Sequence, residues 1–111
     1  MQMTLQDAQI QELDRKYKEY INNYTINLFD YNYKITDETL LLLNSHILSM
    51  NDKEIRCVCI DNKDIFLNKK SITYLVRKIL ALREKINVQY NLNKKYILNN
   101  TSNFKITFYV D

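Results

Sequence analysis

IRCVCIDNKDIFLNKKSITYLVRKILALREKINVQYNLNKKYI, residues 55–97, is the stretch whose reading decides the fold. Its first six residues have the period of a strand, with Ile55, Cys57 and Cys59 on one face and Arg56, Val58 and Ile60 on the other. Asp61-Asn62-Lys63-Asp64 turns the chain, and Ile65 to Leu67 returns. The chain has no Gly, so Asn62 is the expected positive-φ residue. Asn68 then caps a helix. At 100° per residue Ile72, Leu75, Val76, Ile79, Leu80, Leu82, Ile86, Tyr90 and Ile97 fall within an arc of roughly 160°. The expectation is a β-hairpin over 55–67 feeding directly into a long amphipathic helix over about 69–95.

The same helix carries an outer face with a different composition. Lys70, Tyr74, Arg77, Lys78, Lys85 and Lys95 lie there, and between Lys69 and Lys95 eight bases stand against the single acid Glu84. Charge is uneven along the chain. Residues 1–36 hold five acids and four bases (−1), residues 37–64 six acids and three bases (−3), and residues 65–111 two acids and nine bases (+7). The basic face is thus the candidate partner-binding surface. It can be read as a solvated helix face, as a dock for an acidic protein surface, or as a set of phosphate contacts.

Upstream, Thr4 caps a helix over about 4–23, with Asp7 three residues on. Ile10, Leu13, Tyr17, Tyr20 and Tyr24 recur on one side of it, which reads as a docking face or as an oligomer seam. Ile26 and Leu28 alternate with polar residues, Asp30-Tyr31-Asn32 turns, and Tyr33 to Ile35 pairs back as a small hairpin. Thr36 caps the next helix, about 37–50, with Asp37 and Glu38 in its first turn and Ile35 spaced to staple on Leu40. Leu40, Leu41, Leu43, Ile47, Leu48 and Met50 cover so wide a face that this helix is expected to be central. Phe104, Ile106, Phe108 and Val110 alternate as a strand over 104–110, expected to join the sheet or meet a partner's edge. The fold class is therefore α+β: three helices with a small antiparallel sheet, in a single domain over 1–111.

Motifs for catalysis are missing. Without Gly there is no P-loop, dinucleotide fingerprint or nucleophile elbow, and no H-E-x-x-H occurs. The one His, His46, has no ligand-spaced neighbours and reads as a surface or half-buried polar group. Cys57 and Cys59 are spaced C-x-C without a second pair, so the expectation is two buried free cysteines acting as small hydrophobes. No enzyme, metal or cofactor is expected. The start MQMTLQDAQ has no apolar core of a signal peptide, and the longest apolar runs are four residues, so a cytoplasmic, membrane-free life is expected. Lys, Asn, Ile and Tyr are over-used, as an AT-rich genome would produce.

Three segments, YKITDETLLLLNSHI (33–47), IRCVCIDNKDIFLNKKSI (55–72) and LVRKILALREKINVQY (75–90), carry a resemblance. Over about residues 33–97 the chain resembles a small domain-of-unknown-function family of phages and prophages, found in tail-fibre and tail-fibre-assembly proteins. Val58 to Asn62 match that family's strand and turn, Leu67 to Ser71 its helix start, and Ile86, Tyr90 and Lys94 its helix end. The family's usual strand Trp is replaced here by Cys57 and Cys59. The resemblance implies a non-enzymatic phage protein of the bacterial host cytoplasm that binds another protein in tail assembly. The alternatives are a phage-encoded inhibitor of a host defence nuclease (an anti-CRISPR protein), docking on the effector or its guide RNA, and a small nucleic-acid-binding regulator.

Overall fold

The computed structural model describes residues 4–99 together with Ile106 and Phe108. Its elements, in order, are α1 (Leu5–Asn23), β1 (Thr25–Leu28), β2 (Tyr31–Lys34), α2 (Asp37–Ser49), β3 (Ile55–Ile60), β4 (Lys63–Asn68) and α3 (Lys69–Asn99). Among the described residues this is an α+β arrangement of three helices and two separate antiparallel two-stranded sheets, β1-β2 and β3-β4. The strand expected over 104–110 falls, apart from Ile106 and Phe108, outside the described residues. The chain divides into two compact units, one of Met1–Asn22 with Leu82–Asp111 and one of Asn23–Ala81, with the boundary inside α3.

In the unit of residues 23–81, both hairpins close through two-residue turns with positive φ at both positions: Phe29 (54°) with Asp30 (66°), and Asp61 (51°) with Asn62 (64°). Such turns match the twist of the flanking strands. The first turn lies one position earlier than the expected Asp30-Tyr31-Asn32, and Tyr31 and Asn32 belong to β2. The second is tighter than a four-residue loop, so Val58 pairs with Ile65 and Arg56 with Leu67.

That register decides which face goes inward. Val58, Ile60, Ile65 and Leu67 are buried, while Ile55, Cys57, Cys59 and Phe66 are exposed. The cysteines are therefore not core residues. Four branched aliphatic side chains on one face outweigh two thiols, one Ile and one Phe on the other, and a period of two forces the choice. Arg56, on the inward face, reaches the end of α2. Its guanidinium donates to Glu54 (2.7 Å), to the Ser49 hydroxyl (2.5 Å) and carbonyl (3.2 Å), and to Nδ1 of the half-buried His46 (3.4 Å).

Thr36 caps α2, its hydroxyl accepting from the Thr39 N–H at 3.4 Å. The helix buries only Thr39 and Leu43, with Met50 at its C-cap. Leu41 and Leu48 are 74% and 87% exposed, so the expected wide core face is narrow. A 13-residue helix packed on one side cannot bury leucines on two. Asn68 caps α3 through its side-chain oxygen, which accepts from the Ser71 N–H at 2.8 Å. Ile72, Leu75, Val76 and Ile79 complete the core of this unit, and Leu80, placed in the apolar arc by its angle, is exposed.

In the other unit, Thr4 and Asp7 cap α1 reciprocally. The Thr4 hydroxyl accepts from the Asp7 N–H at 3.1 Å, and the Asp7 carboxylate from the Thr4 N–H at 3.4 Å. Leu13 is buried with Ile97 and Ile106, and Ile10, Tyr90 and Phe108 pack around them. Further along α1, Arg15 pairs with Glu12 and with Glu19 on the exposed side.

Candidate functional site: a cationic cleft around Tyr74

Lys70, Tyr74, Arg77 and Lys78 stand on the exposed side of α3 in the unit of residues 23–81, while Lys85 and Lys95 are exposed in the other unit. The structure therefore separates the six residues of the basic face into a group of four and a group of two. Helical spacing brings the four together: Lys70 lies one turn before Tyr74, and Arg77 and Lys78 one turn after it.

A cleft of about 500 Å³ opens here, lined by Asp52, Lys69, Lys70, Thr73, Tyr74 and Arg77. Tyr74 is 46% exposed. The Lys78 ammonium sits 5.4 Å from its ring centroid, a cation–π contact. Phe29, from the tip of the first hairpin, presents its ring at 6.2 Å and 59° to Tyr74. Lys69 pairs with the exposed Asp52 at 3.8 Å. The Thr73 hydroxyl is committed inward, donating to the Lys69 carbonyl at 2.8 Å.

The location is electrostatically costly. The first turn of α3 contains Lys69 and Lys70 and no acid. Cations at the positive end of a helix dipole are unfavourable by about 0.3–1 kcal/mol each. Asp52 is the carboxylate among the residues that line the cleft, beside Lys69, Lys70 and Arg77. Lys69, Thr73, Phe29 and Asp52 were not in the basic-face set read from the sequence. Lys69 and Thr73 share the spacing of Lys70 and Tyr74, so periodicity alone finds them; Phe29 and Asp52 arrive only through tertiary folding.

The Tyr-rich face of α1 is placed differently. Leu13 is buried, and Ile10, Tyr17 and Tyr20 turn toward α3 and Phe108 of the same chain. Tyr24, just past the helix, is half-buried. Tyr17 and Tyr90 lie 5.1 Å apart at 58°. The Tyr17 hydroxyl donates to Asn87 Oδ1 at 2.7 Å, and that of Tyr90 to Asp14 Oδ1 at 2.5 Å. The Asp14 hydrogen bond, aided by burial, pushes the Tyr90 phenol up to about 12. A cleft of about 480 Å³ lies beside the pair, lined also by Lys18 and Asn91.

Cys57 and Cys59 face outward on β3. Desolvation on the sheet surface, then the Asp64 carboxylate across the strand pair, raises the Cys57 thiol above its ordinary range. That keeps it protonated and a poor nucleophile. Among the described residues no cluster of three His, Cys, Asp or Glu side chains could hold a metal ion. No helix among them is long and apolar enough to cross a membrane. No protein-family model, curated protein or solved structure matches the chain.

Proposed function

We propose that this chain is a non-enzymatic binding protein that docks an acidic surface of another protein through the cationic rim around Tyr74. The observation that carries the reading is the set of Lys69, Lys70, Arg77 and Lys78 gathered about one exposed ring, the first two of them in the first turn of α3. An anionic partner relieves the repulsion that this arrangement builds into the free protein. The resemblance over about residues 33–97 gives the setting: an accessory of phage tail or tail-fibre assembly, acting in the bacterial host cytoplasm.

The test is a double charge reversal, Lys70→Glu with Lys78→Glu, used beside the unaltered protein as bait in lysate from phage-infected cells. Loss of a tail-fibre protein from the captured set, with the melting temperature nearly unchanged, supports the reading. Equal capture by both baits sinks it. Lys70→Glu puts an acid in the first turn of α3, which favours the helix by about 0.3–1 kcal/mol or more, and Lys78→Glu loses a cation–π contact of similar size, so no net loss of stability beyond about 1 kcal/mol is expected.

A second reading draws on the Phe29–Tyr74 pair. Exposed rings rimmed by cations also suit single-stranded nucleic acid, including the guide RNA of a defence nuclease. A poly-dT oligonucleotide separates the two. Binding whose logarithm falls with log salt at a slope of about −0.7 per phosphate contacted favours nucleic acid. No binding at low salt leaves the protein partner.

A further inference from the structure

The outer face of the β3-β4 hairpin carries two thiols in line. Cys57 and Cys59 are exposed on it, beside the exposed Ile55 and Phe66. The register sets Phe66 opposite Cys57 and Asp64 opposite Cys59. Of the charged residues in the two strands, Asp64 alone belongs to this face; Arg56 and Lys63 alternate with Val58, Ile60, Ile65 and Leu67 on the other. Free cysteines are usually buried as small hydrophobes. This pair is not.

The spacing excludes one chemistry and suits another. Residues i and i+2 of a strand lie roughly 6.7 Å apart, with their Cβ atoms pointing the same way. A disulfide needs Cβ atoms roughly 3.5–4.5 Å apart. The two thiols therefore do not bridge each other while the strand holds. A shared metal ion reaches further. With metal–sulfur bonds of about 2.3 Å, two sulfurs in line across one ion stand roughly 4.6 Å apart. Side chains on a strand lean along it, so two Sγ atoms leaning toward each other can close the remaining gap of roughly 2 Å.

We infer that Cys57 and Cys59 together hold one soft, two-coordinate cation of the Cu(I) type. The donor set selects the ion. Thiolates favour Cu(I) over hard cations. A structural Zn²⁺ takes four ligands, and Ile55 and Phe66 supply no donor atom. Asp64 offers a hard oxygen, which a soft ion ranks below thiolate, while its charge still favours a cation nearby. On binding, two S–H bonds break, two metal–sulfur bonds form and two protons pass to solvent, with no change of oxidation state. One of those protons is held on Cys57 more firmly than on an ordinary thiol, and the metal must displace it. The site shares no residue with the Tyr74 cleft, so the inference stands or fails apart from the proposed function.

Cu(I), kept reduced under nitrogen, is titrated into the full chain against bicinchoninate, a chromogenic Cu(I) chelator. The chain is expected to withdraw one Cu(I) per molecule, with two sulfur neighbours by X-ray absorption and no change in sedimentation coefficient. Cys57→Ser and Cys59→Ser are each expected to weaken binding by more than the roughly 10–100-fold that loss of an outer-shell partner costs. Ile55→Cys combined with Cys59→Ser restores two thiols at the same spacing on the same face, and should recover most of the affinity. No copper withdrawn, single variants that bind as the unaltered protein does, three or more sulfur neighbours, a copper-driven shift to larger species, or no recovery in the double variant overturns the inference. If circular dichroism shows that a serine variant has not folded, Cys57→Ala and Cys59→Ala take their places with the same expected outcomes.

Discussion

Residues 23–81 bury Tyr33, Ile35, Leu43, Val58, Ile72, Leu75 and Ile79 completely, around two hairpins and the first turns of α3. In the unit of 1–22 and 82–111, Leu13, Ile86, Ile97 and Ile106 are the buried apolar side chains among the described residues. There polar contacts join the helices beside that smaller apolar cluster. Tyr17 reaches Asn87, Tyr90 reaches Asp14, and the Gln6 amide donates to the Ile97 and Leu98 carbonyls at 3.3 and 3.2 Å. Gln9 and Asn93 are buried too. Fully burying an aliphatic side chain contributes about 1.5–3 kcal/mol, whereas a neutral hydrogen bond contributes about 0.5–1.5 net. The first unit therefore rests mainly on apolar area, and the second on a smaller apolar cluster together with polar contacts. The cationic cleft sits on the unit with more fully buried apolar side chains.

The largest effects test that contrast directly. Ile79→Ala leaves a cavity among fully buried neighbours and is expected to cost about 3–5 kcal/mol in urea unfolding. Leu13→Ala, whose neighbours include the half-buried Ile10, Tyr90 and Phe108, is expected near 2 kcal/mol, because that site can relax or admit water. Native-state hydrogen exchange should agree, with amides of β3, β4 and the start of α3 exchanging more slowly than those of α1. Equal costs and equal protection would erase the distinction between the units.

A smaller effect comes from the Tyr90–Asp14 bond. Tyr90→Phe is expected to lose about 1 kcal/mol, since Asp14 is half-buried and water can replace the hydroxyl. The pH dependence has a definite sign. The folded phenol titrates near 12 against an ordinary value of 10.0, so folding favours the protonated form. Its contribution is whole below pH 10 and is lost as pH rises from 10 to 12. Burial raises the Tyr33 phenol as well, so ultraviolet titration of Tyr90→Phe should show one fewer late-ionising phenol, and Asp14→Asn should bring Tyr90 back toward 10.0. A late-ionising count that is the same in Tyr90→Phe as in the unaltered protein would place the perturbed group elsewhere.

Much of this was legible from the residues. Thr36 before Asp37 and Glu38, and Asn68 before the 3.6-period run, mark the helix starts, because short polar side chains satisfy N–H groups that a helix leaves open. On β3 the expected alternation holds, with Ile55, Cys57 and Cys59 on one face and Arg56, Val58 and Ile60 on the other, but the cysteines expected to be buried are on the outer face. A two-residue turn at Asp61-Asn62 sets Val58 opposite Ile65, which puts the aliphatic residues on one side. A four-residue turn leaves that register open. Leu40 to Leu43 is apolar at every position, so periodicity cannot say that Leu41 points outward. At the cleft, Lys70, Tyr74, Arg77 and Lys78 follow helical spacing and were legible. Phe29 and Asp52 come from a turn and a loop far off in the chain, and local pattern carries no sign of them.

Phe29 gives the smallest stability effect and the finest division between the two readings of the cleft. A bulky residue at φ 54° is held in the left-handed region, which costs about 1–2 kcal/mol. Its ring contact with Tyr74 contributes about 0.5–1.5 kcal/mol. Asn tolerates the same backbone, so Phe29→Asn removes both the strain and the contact, and stability is expected to stay within about 1 kcal/mol. Binding should not be so indifferent. If the ring pair is a stacking platform, the variant loses about 1–3 kcal/mol of affinity for poly-dT per base displaced. If the rim of Lys69, Lys70, Arg77 and Lys78 is what a partner contacts, capture of that partner by Phe29→Asn matches the unaltered protein. One substitution at a hairpin tip then reports whether aromatic surface or cationic charge is the part of the cleft that is recognised.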